Sequence, residues 1–119
     1  MRRACEATAL ATFREVVPPG GWLYALDWQH PGYRFRPHLP VEVDHLGDWT
    51  LPFLPDGDYY IFVDPQWRFG TLGHPWEQTL CVFGDELLRV LAPRLVDALG
   101  EPVRRGGKAV RPMPRRSRE

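Results

Sequence analysis

Serine, lysine and cysteine are nearly missing from this chain of 119 residues, which has one serine, one lysine and two cysteines. The single serine, Ser117, lies in a charged terminal run, so serine nucleophile chemistry is excluded. Cys5 and Cys81 stand in no metal-binding or redox spacing and are too few for a disulfide scaffold. Cys81, inside Leu80-Cys81-Val82-Phe83, is expected to be a small buried apolar residue. No apolar run approaches the roughly 20 residues that span a bilayer. The stretch after Met1-Arg2-Arg3 is broken by Glu6 and makes a poor signal-peptide core. These absences predict a cytoplasmic protein with no membrane segment. A phosphate-binding loop is also missing, since Gly70-Thr71-Leu72-Gly73 lacks the lysine and the following helix that such a loop needs. No cofactor motif is present, and no cofactor or resident metal is expected.

What remains is apolar, aromatic and arginine-rich. Apolar residues make up 44% and aromatics 13%, enough for one globular domain with a modest core. Formal charge is balanced at zero but unevenly distributed. Residues 101–119 carry seven basic against two acidic side chains, a balance of +5. The preceding 100 residues carry eight against thirteen, a balance of −5. The terminal stretch also holds Pro102, Pro112, Pro114, Gly106 and Gly107 and almost no large apolar residue. It cannot bury enough surface to offset its chain entropy, so residues 1–100 are read as a single domain and 101–119 as a disordered basic tail. A nucleic-acid arm would fit the charge. No aromatic residue interleaves the tail for base stacking, so nucleic acid is not the expected partner. A protein partner is.

Apolar spacing orders the elements. Cys5, Leu10, Phe13 and Val17 sit near helical spacing, and Pro18-Pro19-Gly20-Gly21 ends that helix. Residues 22–29 alternate with period two, with Trp22, Tyr24, Leu26 and Trp28 on one aromatic face. Tyr33-Arg34-Phe35 resumes the alternation after a turn, while 41–43 and 49–51 suggest short edge strands. Tyr59 to Val63 is a run of strand formers. A second strand is expected to start at Trp67-Arg68-Phe69 and a third to run from Gln78 to Phe83. Asp85 is a candidate N-cap for a helix with an apolar stripe of Leu87, Leu88, Leu91, Leu95 and Leu99. Leu88 and Leu91 are both expected to be buried against the sheet. Pro93 kinks this helix or restarts it, and Gly100 ends it. The sum is an α+β domain, a curved antiparallel sheet with a meander of about four to six strands packed on a C-terminal helix.

Two stretches, Ala25-Leu26-Asp27-Trp28-Gln29-His30-Pro31-Gly32-Tyr33-Arg34-Phe35 and residues 56–84 with their Gly73-His74-Pro75-Trp76-Glu77-Gln78 cluster, resemble a bacterial family catalogued as domain of unknown function 2716. The resemblance implies one domain and a shared surface around Trp28, His30, His74, Trp76 and Glu77. It implies no reaction. The N-terminal part of this chain is short beside typical members.

Both His30 and His74 precede proline, which favours extended backbone at the imidazole. Asp27 and Trp28 flank the first, and Trp76 and Glu77 the second. A histidine–carboxylate pair suits general-base work or metal ligation. Zinc would require His30, His74 and one of Asp64 or Glu77 to converge. The spacing His-x-x-Glu is common, and the simpler expectation is that His74 and Glu77 cap a tight turn between two strands. Most of the tryptophans are expected in the core, with one or two partly exposed. Two functions stay open: a small binding or protein-interaction module, and a small enzyme or ligand- or metal-binding domain using His30, His74 and Glu77.

Overall fold

The computed structural model describes residues 2–27, 32–43, 45–47, 49–54, 58–100, 104–105 and 108–109. Helix α1 (Arg2–Val16) opens the chain. Cys5, Ala9, Phe13 and Val17 recur every four residues and are all buried, so one face of α1 is the core face. The prolines and glycines after Val17 stop the helix. Gly21 N–H donates to the Pro18 carbonyl at 2.8 Å to close a turn.

Strands β1 (Leu23–Asp27), β2 (Tyr33–Phe35), β3 (Tyr60–Val63), β4 (Gly70–His74) and β5 (Thr79–Phe83) follow. They form one five-stranded sheet in the order β2-β1-β3-β4-β5, with every neighbouring pair antiparallel. The predicted α+β class and strand number therefore hold. Strands β3, β4 and β5 are the expected meander, while the long connection after β2 returns to place β3 beside β1.

Register assigns the two faces. Leu23 pairs with Phe35, Ala25 with Phe62, Phe62 with Thr71 and Thr71 with Val82, so these residues share one face. That face carries the core. Phe13 of α1 stacks on Phe62 at 6.1 Å and meets Phe35 and Phe53 edge-on at 6.2 Å. On β1 Leu23 and Ala25 face inward, and Tyr24 and Leu26 lie on the opposite face. The aromatic face expected there is the solvent-side one, where Arg34 lies 4.7 Å and Arg36 5.9 Å from the Trp22 ring.

The segment between β2 and β3 has little regular structure, only the isolated bridge Val43–Trp49 where two short edge strands were expected. It is nevertheless part of the core through Trp49, Leu51 and Phe53. Three hydrogen bonds tie it to α1 or the residue after it: Arg3 Nη2 to the Leu46 carbonyl (2.7 Å), Arg14 Nε to the Pro37 carbonyl (2.6 Å) and His38 Nε2 to the Val17 carbonyl (2.6 Å).

Helix α2 (Asp85–Leu99) packs on the same sheet face and against α1. Its buried residues are Leu87, Leu91 and Leu95, a stripe four residues apart. Leu88 is 43% exposed, which corrects the expectation that it is buried with Leu91. The N-cap of the helix is Gly84, not the expected Asp85, and no side chain caps it. Gly84 adopts φ 90°, and a Cβ there would be driven into the Arg68 carbonyl and Phe69, so glycine is required. Asp85 and Glu86 instead face the helix dipole from the first turn. Pro93 neither ends nor divides α2, which runs through it to Leu99. Gly100, at φ 85°, terminates it with its N–H on the Val96 carbonyl at 2.7 Å. Arg94 joins the two helices, donating to Thr12 Oγ1 at 2.9 Å and to both oxygens of Glu15. Within residues 101–119, β6 (Arg104–Arg105) pairs with β7 (Lys108–Ala109), and the rest of the expected tail lies outside the described residues.

Candidate functional site

The β4–β5 hairpin brings together the part of the predicted surface that the structure describes. β4 ends at His74 and β5 begins at Thr79, with His74 and Thr79 paired. Four residues, Pro75 to Gln78, make the turn. Proline after His74 favours extended backbone at the imidazole, and Gln78 closes the turn in the left-handed region at φ 56°. Side chains then lock it. Glu77 N–H donates to His74 Nδ1 at 3.2 Å, Gln78 Nε2 to the Pro75 carbonyl at 2.6 Å, and Thr79 Oγ1 to Glu77 Oε2 at 3.2 Å. Because Nδ1 accepts, the ring proton of a neutral His74 sits on Nε2. The imidazole also meets the Tyr59 ring edge-to-face, with centroids 5.0 Å apart.

The consequence is that Trp76 is held out from the tip of a braced turn. It is 82% exposed, the most exposed large apolar side chain among the described residues. The expectation that most tryptophans are core is corrected. Of the four described, Trp49 is buried, Trp22 half-buried, and Trp67 and Trp76 exposed. The physical reason is local: Trp67 and Trp76 fall in turns whose backbone is fixed by other residues, so neither ring is drawn inward.

Trp67 sits at the opposite end of β4. The loop from Asp64 to Phe69 joins β3 to β4 and is wound around one carboxylate. Asp64 accepts from Arg68 Nε (2.8 Å) and Nη2 (3.0 Å) and from the N–H groups of Gln66 (3.1 Å) and Arg68 (3.3 Å). The Arg68 side-chain bonds hold its carboxyl below the usual carboxylate range, against the opposing pull of burial. Asp64 N–H bonds to the Phe69 carbonyl at 2.9 Å, closing the loop with Trp67 at φ 61°. Residues 67–69 are therefore loop and not the start of a strand. Asp64 and His74 occupy opposite ends of the β3–β4 pair, so they do not converge as zinc ligands. Beside this loop lies a cleft of about 360 Å³ lined by Val16, Pro18, Arg68, Phe69, Asp85 and Glu86.

Cys81, expected to be buried, is exposed at the middle of β5, because its side chain lies on the outer face of an edge strand. The same face holds Tyr24, Leu26, Ile61, Val63, Leu72 and Phe83. The Phe83 ring lies over Gly70, where a Cβ would come within 2.7 Å of it. Val63 is fully buried yet outside the main core cluster, so this second face has packing of its own.

Of the five candidate residues, His74, Trp76 and Glu77 thus share one turn. Trp28 and His30 lie outside the described residues. Sequence reasoning missed the β5 edge and the Asp64–Arg68 clamp. An Asp-x-x-x-Arg spacing across a Pro-Gln-Trp turn was the available signal for the clamp.

A family described as "Protein of unknown function (DUF2716)" matches over residues 1–88. The chain belongs to this family. The match spans α1, the whole sheet and the start of α2, so both the β4–β5 turn and the Asp64 loop lie inside the shared region. Among curated proteins, the chain is similar to "Uncharacterized protein YxiI" of Bacillus subtilis (strain 168), with 42% identity over 86 residues. Those residues cover 72% of this chain and 53% of that protein, so the chain spans about half the length of the curated relative it matches. No solved structure matches. Among the described residues, no helix is long and apolar enough to cross a membrane, and no three His, Cys, Asp or Glu side chains gather as a metal site.

Proposed function

We propose that this domain is a protein-interaction module whose contact element is the β4–β5 hairpin. The observation that carries this reading is Trp76, 82% exposed on a turn that three side-chain hydrogen bonds brace. An indole held in water by its own fold contributes little to stability there. It contributes most where it is buried on binding, since tryptophan is enriched among interface anchors and a braced turn loses little entropy on contact. The acidic body fits a partner with basic or neutral surface. A cytoplasmic setting is part of the same proposal, because two free thiols, one of them exposed, suit a reducing compartment.

The competing reading, chemistry or metal binding by His30, His74 and Glu77, draws less support. His74 Nδ1 is spent on the Glu77 N–H, and the Glu77 carboxylate accepts from Thr79, so both groups serve the turn.

Immobilised wild-type, Trp76→Ala and Leu88→Ala proteins, each exposed to extract of the native host, test the proposal. Specific proteins retained by wild type and by Leu88→Ala, but lost from Trp76→Ala, are the expected result. Equal retention by all three would overturn it.

A further inference from the structure

The outer edge of β5 pairs with no other described strand, and nothing in its sequence guards it. Thr79-Leu80-Cys81-Val82-Phe83 has no charge, proline or glycine over its full length. The opposite edge is defended: β2 is only three residues long, carries exposed Arg34, and runs into Arg36-Pro37. Edge strands in monomers are ordinarily shortened, charged or broken in this second way. Leu80 and Val82 point to the core face of the sheet but are only half-buried, so the apolar interior runs out to the β5 edge unfinished.

We infer that two copies of this chain pair along β5, antiparallel about a twofold axis at Cys81, to make one continuous ten-stranded sheet. This deepens the reading of the hairpin as a contact element and rests on it. The register is self-complementary. Cys81 faces the second copy's Cys81, Leu80 faces its Val82, and Thr79 faces its Phe83. The core-face pair is aliphatic, and no like charges meet. The pairing also provides a seat for Trp76. The turn bearing Trp76 lies just beyond Thr79, at one end of β5. The cleft lined by Phe69, Arg68, Pro18, Val16, Asp85 and Glu86 lies just beyond Phe83, at the other end. Antiparallel pairing sets each copy's turn against the other's cleft, twice by symmetry. Phe69 and Pro18 in the lining of that cleft offer apolar contact to the ring, and the Arg68 guanidinium, on a side chain 63% exposed, offers a cation to its face.

Sedimentation equilibrium of the full chain over a wide concentration range tests this, with circular dichroism confirming that each variant is folded. Wild type and Cys81→Ser are expected to dimerise. Cys81→Lys, which puts like charges face to face, is expected to be monomeric. Trp76→Ala is expected to raise the dissociation constant about tenfold or more, as for loss of an interface anchor. Mild oxidation of wild type should give a covalent dimer linked through Cys81. A monomeric wild type, or a dimer indifferent to both Cys81→Lys and Trp76→Ala, would overturn the pairing. If wild type is monomeric while retention from extract still depends on Trp76, the hairpin reading stands and its partner is a different protein.

Discussion

Two buried polar side chains show how single residues set the balance of this fold. Thr71 lies on the core face of β4 between Phe62 and Val82, fully buried, and its hydroxyl has no hydrogen-bond partner among the described residues. A buried, unsatisfied hydroxyl costs free energy that an isosteric methyl does not. Thr71→Val is therefore expected to raise stability by about 1 kcal/mol in urea denaturation. A loss of similar size would show that the hydroxyl is satisfied in solution. Asp64 is the opposite case, buried but fully employed by Arg68 and two backbone amides. Its carboxyl titrates lower in the folded protein than in the unfolded chain, where it should lie near 3.9. The stabilisation is thus complete above that value and lost as pH falls through the lower, folded one. Melting temperature measured from about pH 5 to about pH 2 should fall more steeply for wild type than for Asp64→Asn. Parallel curves would mean that the clamp contributes nothing.

At the scale of elements, the α2 stripe gives a clean contrast. Leu91 is fully buried while Leu88 is 43% exposed. Leu91→Ala should cost about 2–5 kcal/mol and Leu88→Ala about half a kilocalorie or less by denaturant unfolding. Equal costs would mean the helix is rotated. This contrast also marks what the sequence reveals about the elements. The leucines of α2 announce a helix, but five of them on adjacent helical positions leave its rotation open. Only packing against Phe13 and the sheet selects Leu87, Leu91 and Leu95. Strand existence was similarly legible from alternation at 22–29 and from the run at 59–63. Which face of β1 turns inward was not, because Trp22 and Tyr24 are as apolar as Leu23 and Ala25. The β4–β5 turn was legible from Gly73-His74-Pro75, and the His74–Glu77 brace from their spacing. Cys81 was misread because an apolar run looks the same on a central strand and on an edge. Sheet order, a long-range property, decides between them.

The whole molecule is asymmetric. Both helices and the Trp49–Phe53 segment crowd one face of the sheet, while the other face retains its own apolar residues around Val63. One edge is short and cationic, and the other is apolar, pairs with no other described strand and adjoins the turn that carries Trp76. These features support the proposal that the β4–β5 hairpin is where the domain meets another surface. The most direct measurement is site-specific photo-cross-linking in living cells, with a photoreactive residue in place of Trp76 and, separately, in place of Leu88. Both positions are exposed, but only one is on the hairpin. Discrete adducts from position 76 and none from position 88 are predicted. No adduct from position 76, or the same adducts from both, would contradict the account.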